Sequence, residues 1–283
     1  MGVRYRMLRA VLVAAILAFA SCREGVRDGE ETPVRIRLVA NESSVVSGGT
    51  LHLGIVVDLA EGWHVYWKGR SDSGAPLEIR VDAPDGCEAG EMLWPAPERL
   101  VSPGGILDHV YREDALVIVP FRVREDFSSR DLAEFRCTAR WVACREACVA
   151  GTDTAALILP VSRAGEQASL SLDAGLFRRV RLSIPVPLPD THPGVRARWE
   201  DDRFIVRAGE DDRVAFFPAA DCGELADPIA DAVSDRGLLA LRFRRTESGV
   251  GPASGVIEIR TNARSPAAFY EVNSALTEDG ASD

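Results

Sequence analysis

Lysine is almost missing from this 283-residue chain: Lys68 is the sole lysine among 33 basic side chains. That bias hints at a GC-rich coding sequence and carries no mechanism. Positive charge is in deficit overall, since 43 Asp and Glu leave a net charge of −10. An acidic surface argues against nucleic acid and against anionic lipid as partners. No apolar run beyond residue 21 is long enough to span a bilayer, so the mature chain is expected to be soluble or lipid-anchored. Long helical periodicity is also missing, which excludes a helical bundle. Histidine is scarce, with four in the chain.

The first 21 residues have the layout of an export signal. Arg4, Arg6 and Arg9 form a basic start, and the run Ala10 to Ala20 follows without a charge. The junction Phe19-Ala20-Ser21-Cys22 fits a lipoprotein processing site, with Cys22 as the lipidated first residue and residues 22–33 as a polar tether. Cleavage after Ala18-Phe19-Ala20 is the alternative and would release a soluble protein. Both place the protein in the periplasm or cell envelope, or secrete it. Removing three arginines and no acid takes the charge from −10 to −13.

From Val34 onward, short alternating segments are punctuated by Gly, Pro, Asp and Ser, as in Val34-Arg35-Ile36-Arg37-Leu38-Val39. Period-2 alternation with frequent turns predicts an all-β protein of two immunoglobulin-like sandwiches. The expected division is a first sandwich over 34–160, a linker over 161–190 holding one short helix within Ser169 to Val180, a smaller sandwich over 191–264, and a tail over 265–283.

Six cysteines are present: Cys22, Cys87, Cys137, Cys144, Cys148 and Cys222. With Cys22 lipidated, five remain, so an oxidising compartment leaves at least one thiol unpaired within the chain. Cys144-Arg145-Glu146-Ala147-Cys148 is the one close pair. In an extended chain residues four apart lie about 13 Å apart, whereas a disulfide needs Cα atoms within about 7 Å. A bond therefore requires the strand to end and turn between them. Phe135, Cys137, Ala139 and Trp141 alternate onto one apolar face, which points Cys137 into a core and Cys144 the other way. Such a bond is either a labile redox pair or a staple across a tight turn, and spacing does not choose. Cys87 and Cys222 sit in turn-like surroundings and either staple the two sandwiches or stay apart. Trp63 and Trp67 share a strand face and suit a core. His64 and Tyr66, on the other face, are expected at the surface without a role, and Asp72 is expected to form a turn.

Three ordered blocks resemble the N-terminal extracytoplasmic domain of the DsbD and ScsB thiol:disulfide interchange family. They are Gly62-Trp63-His64-Val65-Tyr66-Trp67-Lys68 followed by Ser71-Asp72-Ser73-Gly74; Trp94-Pro95-Ala96-Pro97-Glu98-Arg99; and Trp141-Val142-Ala143-Cys144-Arg145-Glu146-Ala147-Cys148-Val149. Val214 to Pro218 and Asp227 to Ala230 are similar to a weaker motif in the second sandwich of longer members. The family's proline after the second cysteine is Ala150 here, and its Asn-Pro before the acidic block is Gly69-Arg70. The resemblance implies Cys144 and Cys148 as catalytic residues, with Cys148 the exposed sulfur and Cys144 the resolving one. It also implies a cap loop over the disulfide at Asp108, His109 and Tyr111.

The chain ends without the family's membrane and thioredoxin-like domains, so the expected partners are a thioredoxin-like reductase domain or membrane electron carrier in trans, and oxidised envelope clients. The expected setting is one of cytochrome c assembly or copper tolerance, with membrane contact through the lipid alone. Exchange between thiols and disulfides needs no cofactor. Two rival readings remain. One is a Cu(I)-binding lipoprotein using the C-x-x-x-C pair with His64 or His109; the other is a scaffold without catalysis.

Overall fold

The alternation from Val34 onward is realised as strands in which every second side chain enters a core. The computed structural model describes residues 32–276 apart from 130, 248 and 263. The expected signal, Cys22 with its tether up to residue 31, and residues 277–283 therefore lie outside the described residues.

The first sandwich is built from β1 (Val34–Ala40), β2 (Val45–Val46), β3 (Thr50–Leu59), β4 (His64–Tyr66), β5 (Glu78–Asp82), β6 (Cys87–Ala89), β7 (Glu98–Val101), β8 (Leu107–Tyr111), β9 (Ala115–Val123), β10 (Leu132–Cys144) and β11 (Cys148–Ser162). One sheet has the order β1-β3-β9-β6, the other β2-β11-β10-β4-β8-β7, with β5 paired to β10. Leu38, Ile55, Val117, Phe135, Cys137 and Trp141 are among the side chains the two sheets share as a core.

Residues of the opposite parity face outward, and on the β1-β3-β9 sheet four of these, Val39, Val56, Leu116 and Ile118, are apolar too. They are covered by α1 (Ala174–Val180), whose Phe177 is buried on them. Gly54 permits this approach: a Cβ there would lie 2.6 to 2.9 Å from Leu116, Val39 and Phe177. The expected linker is thus packed structure, with its short helix where the sequence placed one.

The second sandwich contains β12 (Val186–Pro187), β13 (Arg196–Glu200), β14 (Arg203–Arg207), β15 (Arg213–Pro218), β16 (Val233–Ser234), β17 (Leu238–Arg242), β18 (Arg245–Thr246), β19 (Gly249–Val250), β20 (Ala253–Arg260) and β21 (Ala268–Ser274). The sheet β12-β21-β20-β15-β16 packs on β13-β14-β17, with β18 and β19 as a separate ribbon. Strand β21 corrects the expected tail. Its residues pair with β20 from Ser274 opposite Ala253 to Ala268 opposite Ile259. The adjacent apolar residues Phe269 and Tyr270 hide the alternation, because one packs toward the first core and the other toward the second.

The two sandwiches meet along a packed seam and form one compact unit from Pro33 on. Ala215, Phe217 and Val256 join the core of the first sandwich. Arg99 donates to the carbonyls of Ala230 (2.7 Å) and Ala232 (3.3 Å). The Arg70 amide donates to Pro218 O at 2.9 Å, and its guanidinium to the carbonyls of Gly223 and Cys222. No disulfide staples the halves: Cys144–Cys148 is the bond formed among the described residues, and Cys222 is a buried thiol. No helix of the described residues is long and apolar enough to cross a membrane.

Because Phe217 fills the seam, Phe217→Ala is expected to cost about 3–5 kcal/mol. The loss should be read as a lower urea midpoint at unchanged slope.

Candidate active site

The site begins with the register of the longest hairpin. Strands β10 and β11 pair without a break until Cys144 stands directly opposite Cys148. The three-residue turn between them brings their Cα atoms to 4.1 Å, and the two sulfurs are bonded. Opposed positions at the end of an antiparallel ladder are among the few places where residues four apart come this close.

Strand parity then separates the two sulfurs' surroundings. Ala143 and Trp141 enter the core, so Cys144 lies on the outer face of its sheet, where it is nevertheless 4% exposed. Tyr66, Val110, Leu100 and Val142 enclose it. The Tyr66 hydroxyl lies 3.2 Å from Cys144 Sγ, and it is the donor because a disulfide sulfur has no hydrogen. Cys148, together with Arg145, Glu146 and Ala147, is exposed. The Arg145 guanidinium lies 5.2 Å from the Trp63 ring centroid, a cation–π contact that settles the turn on β4's flank.

Tyr66 is held from behind by the Ser71 to Gly74 segment. Asp108 accepts hydrogen bonds from the Ser73 amide (2.8 Å) and hydroxyl (2.7 Å), and Asp72 accepts from the Leu107 amide (2.7 Å). Asp72 is thus a backbone clamp, in line with a turn former. The clamp lays Gly74, at φ +70°, against the tyrosine ring: a Cβ there would sit 2.1 Å from its Cζ. Only glycine admits that contact. Tyr66 was expected at the surface without a role; it is buried beside the disulfide instead, because the clamp and Val110 cover the face that alternation alone assigned to solvent.

The expected cap loop is also corrected. Asp108, His109 and Tyr111 belong to β8, a strand buried throughout between β4 and β7. Tyr111 faces the main core and donates to Pro95 O at 2.7 Å. His109 faces the seam, its ring 5.1 Å from Phe217 and its Nδ1 bonded to Arg70 O. Its Nε2 has no hydrogen-bond partner among the described residues. The side chains of this region that share the Cys144 cluster are Val110 of β8, which is buried in it, and Leu100 of β7, which packs against it. Beyond Leu100 the β7–β8 turn carries Val101 and Ile106 exposed.

His64 stands opposite Cys144 on the neighbouring strand. Burial lowers its pKa below the usual histidine range. Among the described residues no group of three or more His, Cys, Asp or Glu is arranged to hold a metal.

Residues 36–160 match the family model described as "Thiol:disulfide interchange protein DsbD, N-terminal". This part of the chain belongs to the DsbD N-terminal domain family. The N-terminal periplasmic domain of ScsB from Proteus mirabilis is similar in fold over 87% of this chain and 94% of its own, at 13% identity and a TM-score of 0.54. The reduced DsbD N-terminal domain of Neisseria meningitidis aligns over 48% of this chain and 90% of its own, at 14% identity and a TM-score of 0.28. A comparison with curated protein sequences finds no match. The ScsB likeness extends the shared fold across both sandwiches; the family match covers the first.

Within this DsbD N-terminal domain, burial pushes the Cys137 thiol up to about 12, with Asp153 and Asp82 adding to the effect. At pH 8 its thiolate fraction is then about 1 in 10⁴. In the reduced protein a thiol reagent is therefore expected to modify Cys148 to completion while Cys137 stays unmodified, as peptide mass mapping would show.

Burial also lowers His109 to about 4 from 6.5, only partly offset by its bond to Arg70 O. A folded-state value below the unfolded one gives stability that is full above pH 6.5 and lost as pH falls toward 4. The loss amounts to about 3 kcal/mol. Urea midpoints measured from pH 7 to 4 should fall in this window, and His109→Gln should remove most of the slope.

Proposed function

We propose that the chain is a cell-envelope thiol:disulfide interchange protein that takes two electrons from a thioredoxin-like partner and passes them to oxidised extracytoplasmic proteins. The observation that carries this is the asymmetry of the bond: one sulfur is open to solvent and the other is enclosed beneath a tyrosine hydroxyl. A structural staple needs no such division.

In the first step a thiolate of the partner attacks Cys148 Sγ in line with the S–S bond. A mixed disulfide forms and Cys144 leaves as a thiolate. Tyr66, already pointing at that sulfur, stabilises the charge as it develops, and a hydrogen bond to an ionised acceptor is stronger than one to a neutral sulfur. The partner's second thiolate then attacks its own sulfur in the mixed disulfide. This releases Cys148 as thiolate and leaves the partner oxidised. Both cysteines take up protons to give the dithiol, so two electrons and two protons have been gained. Transfer onward is the reverse sequence: Cys148 attacks a client disulfide and Cys144 resolves the mixed species, expelling the reduced client. No cofactor enters either half-reaction.

The export-signal layout of residues 1–21 and the cysteine at its end support an envelope setting with a lipid anchor at Cys22. A membrane electron carrier is the other donor of suitable chemistry.

Cys148→Ser is expected to abolish exchange with a thioredoxin-like reductant, and Cys144→Ser to accumulate a mixed disulfide through Cys148, visible on non-reducing gels. Tyr66→Phe should slow reduction about tenfold, equivalent to one hydrogen bond of about 1.4 kcal/mol to the leaving sulfur. A pair that does not cycle with any thioredoxin-like reductant would remove the proposal.

A further inference from the structure

On the segment between the sandwiches, Leu170, Leu172 and Leu182 are exposed. Arg178, Arg179 and Arg181 on the same segment are exposed too. Helix α1 buries Ala174 and Phe177. Helical spacing therefore turns Gly175, Arg178, Arg179 and Leu182 outward, with Leu172 about one turn before them. Residues 170–182 hold three arginines and one acid, Asp173, a net +2 within a chain of −10. Leucine tips set among guanidinium groups, over a face already buried in protein, are what the boundary of an anionic bilayer accepts.

We propose that this face rests on an anionic phospholipid surface and thereby turns Cys148 away from the membrane, toward soluble partners. The overall charge argued against anionic lipid, and for the surface as a whole that holds. It also gives the patch its value, because a processed chain of −13 is repelled as a whole while this segment, at +2, is attracted.

Position supports the same occupant. Ser43 N donates to Ser169 O at 2.9 Å and Ser171 N to Asn41 O at 3.1 Å, which pins the patch to the end of β1. Val34, where β1 begins, lies about 23 Å back along that strand. The tether expected between Cys22 and Pro33 reaches at most about 40 Å. A lipid on Cys22 and the patch can therefore meet one bilayer.

Orientation follows from strand parity. Helix α1 lies on the outer face of the β1-β3-β9 sheet, over Val39, Val56, Leu116 and Ile118. Cys144 and Tyr66 lie on the outer face of the opposite sheet. The two faces of one sandwich thus point in opposite directions, one toward lipid and the other toward solvent. The inference rests on the lipid-anchor reading for its local concentration at the membrane, whereas the patch itself does not require the anchor.

The test is amide hydrogen exchange on the full-length processed protein with excess vesicles, either phosphatidylglycerol and phosphatidylethanolamine or phosphatidylcholine alone. Exchange over 169–182 is expected to slow about fivefold on the anionic vesicles and little on the neutral ones. The surface variant Arg178→Glu/Arg179→Glu/Arg181→Glu should abolish that protection. The 144–148 turn should stay open, and in the reduced protein the rate of Cys148 alkylation should not change on either vesicle. Equal protection on both compositions, no protection on either, or protection of the 144–148 turn overturns the proposal. Failure of the anchor reading alone is separately visible: the protein washes off both vesicles in high salt, while 169–182 is still protected on anionic vesicles at low salt, which supports the patch.

Discussion

The period-2 geometry of β10 is the constraint from which the rest follows. Ala143 and Cys144 are neighbours in the chain, yet one must enter the core and the other must leave it. With Phe135, Cys137, Ala139 and Trp141 fixing which parity is inside, Cys144 has no choice of face. A slip of one residue would put the disulfide in the core and five apolar side chains in water. The register that makes the sandwich is therefore the register that makes the site.

Around that fixed point, the fold supplies cover on one side and leaves the other open. Residues remote in sequence do this: Tyr66 from β4, Leu100 from β7 and Val110 from β8 all arrive at Cys144 because β10, β4, β8 and β7 are consecutive in one sheet. The acidic turn over Ser71 to Gly74 acts through Tyr66: its hydrogen bonds to β8 and the missing Cβ of Gly74 hold the tyrosine ring. The second sandwich contributes from the opposite direction, by filling the core beneath β8 with Phe217.

The same sandwich has two outer faces, and both are occupied by unlike chemistry. The sheet opposite the disulfide is roofed by α1, whose buried side is apolar and whose free side is cationic. A segment that the sequence presented as a linker is thus a third layer of the first sandwich, and its burial through Phe177 is what gives its arginines a fixed direction.

The sequence by itself determined the all-β class, the alternating strand that runs up to Cys144 and the inward Cys137, because each depends on local period; it offered Cys144 and Cys148 as a close pair able to bond only if the strand turns between them, and the register of the hairpin decided that they do. Its motif blocks at 62–74, 94–99 and 141–149 were sufficient to indicate the DsbD N-terminal family. Tertiary structure alone decided that Tyr66 is buried on the disulfide, that Asp108, His109 and Tyr111 form an interior strand, and that 268–274 is a strand paired to β20. Alternation says which side chains share a face; it does not say what lies against that face. A strand covered on both sides, as β8 is, or divided between two cores, as β21 is, loses the polar half of the pattern by which it would have been read.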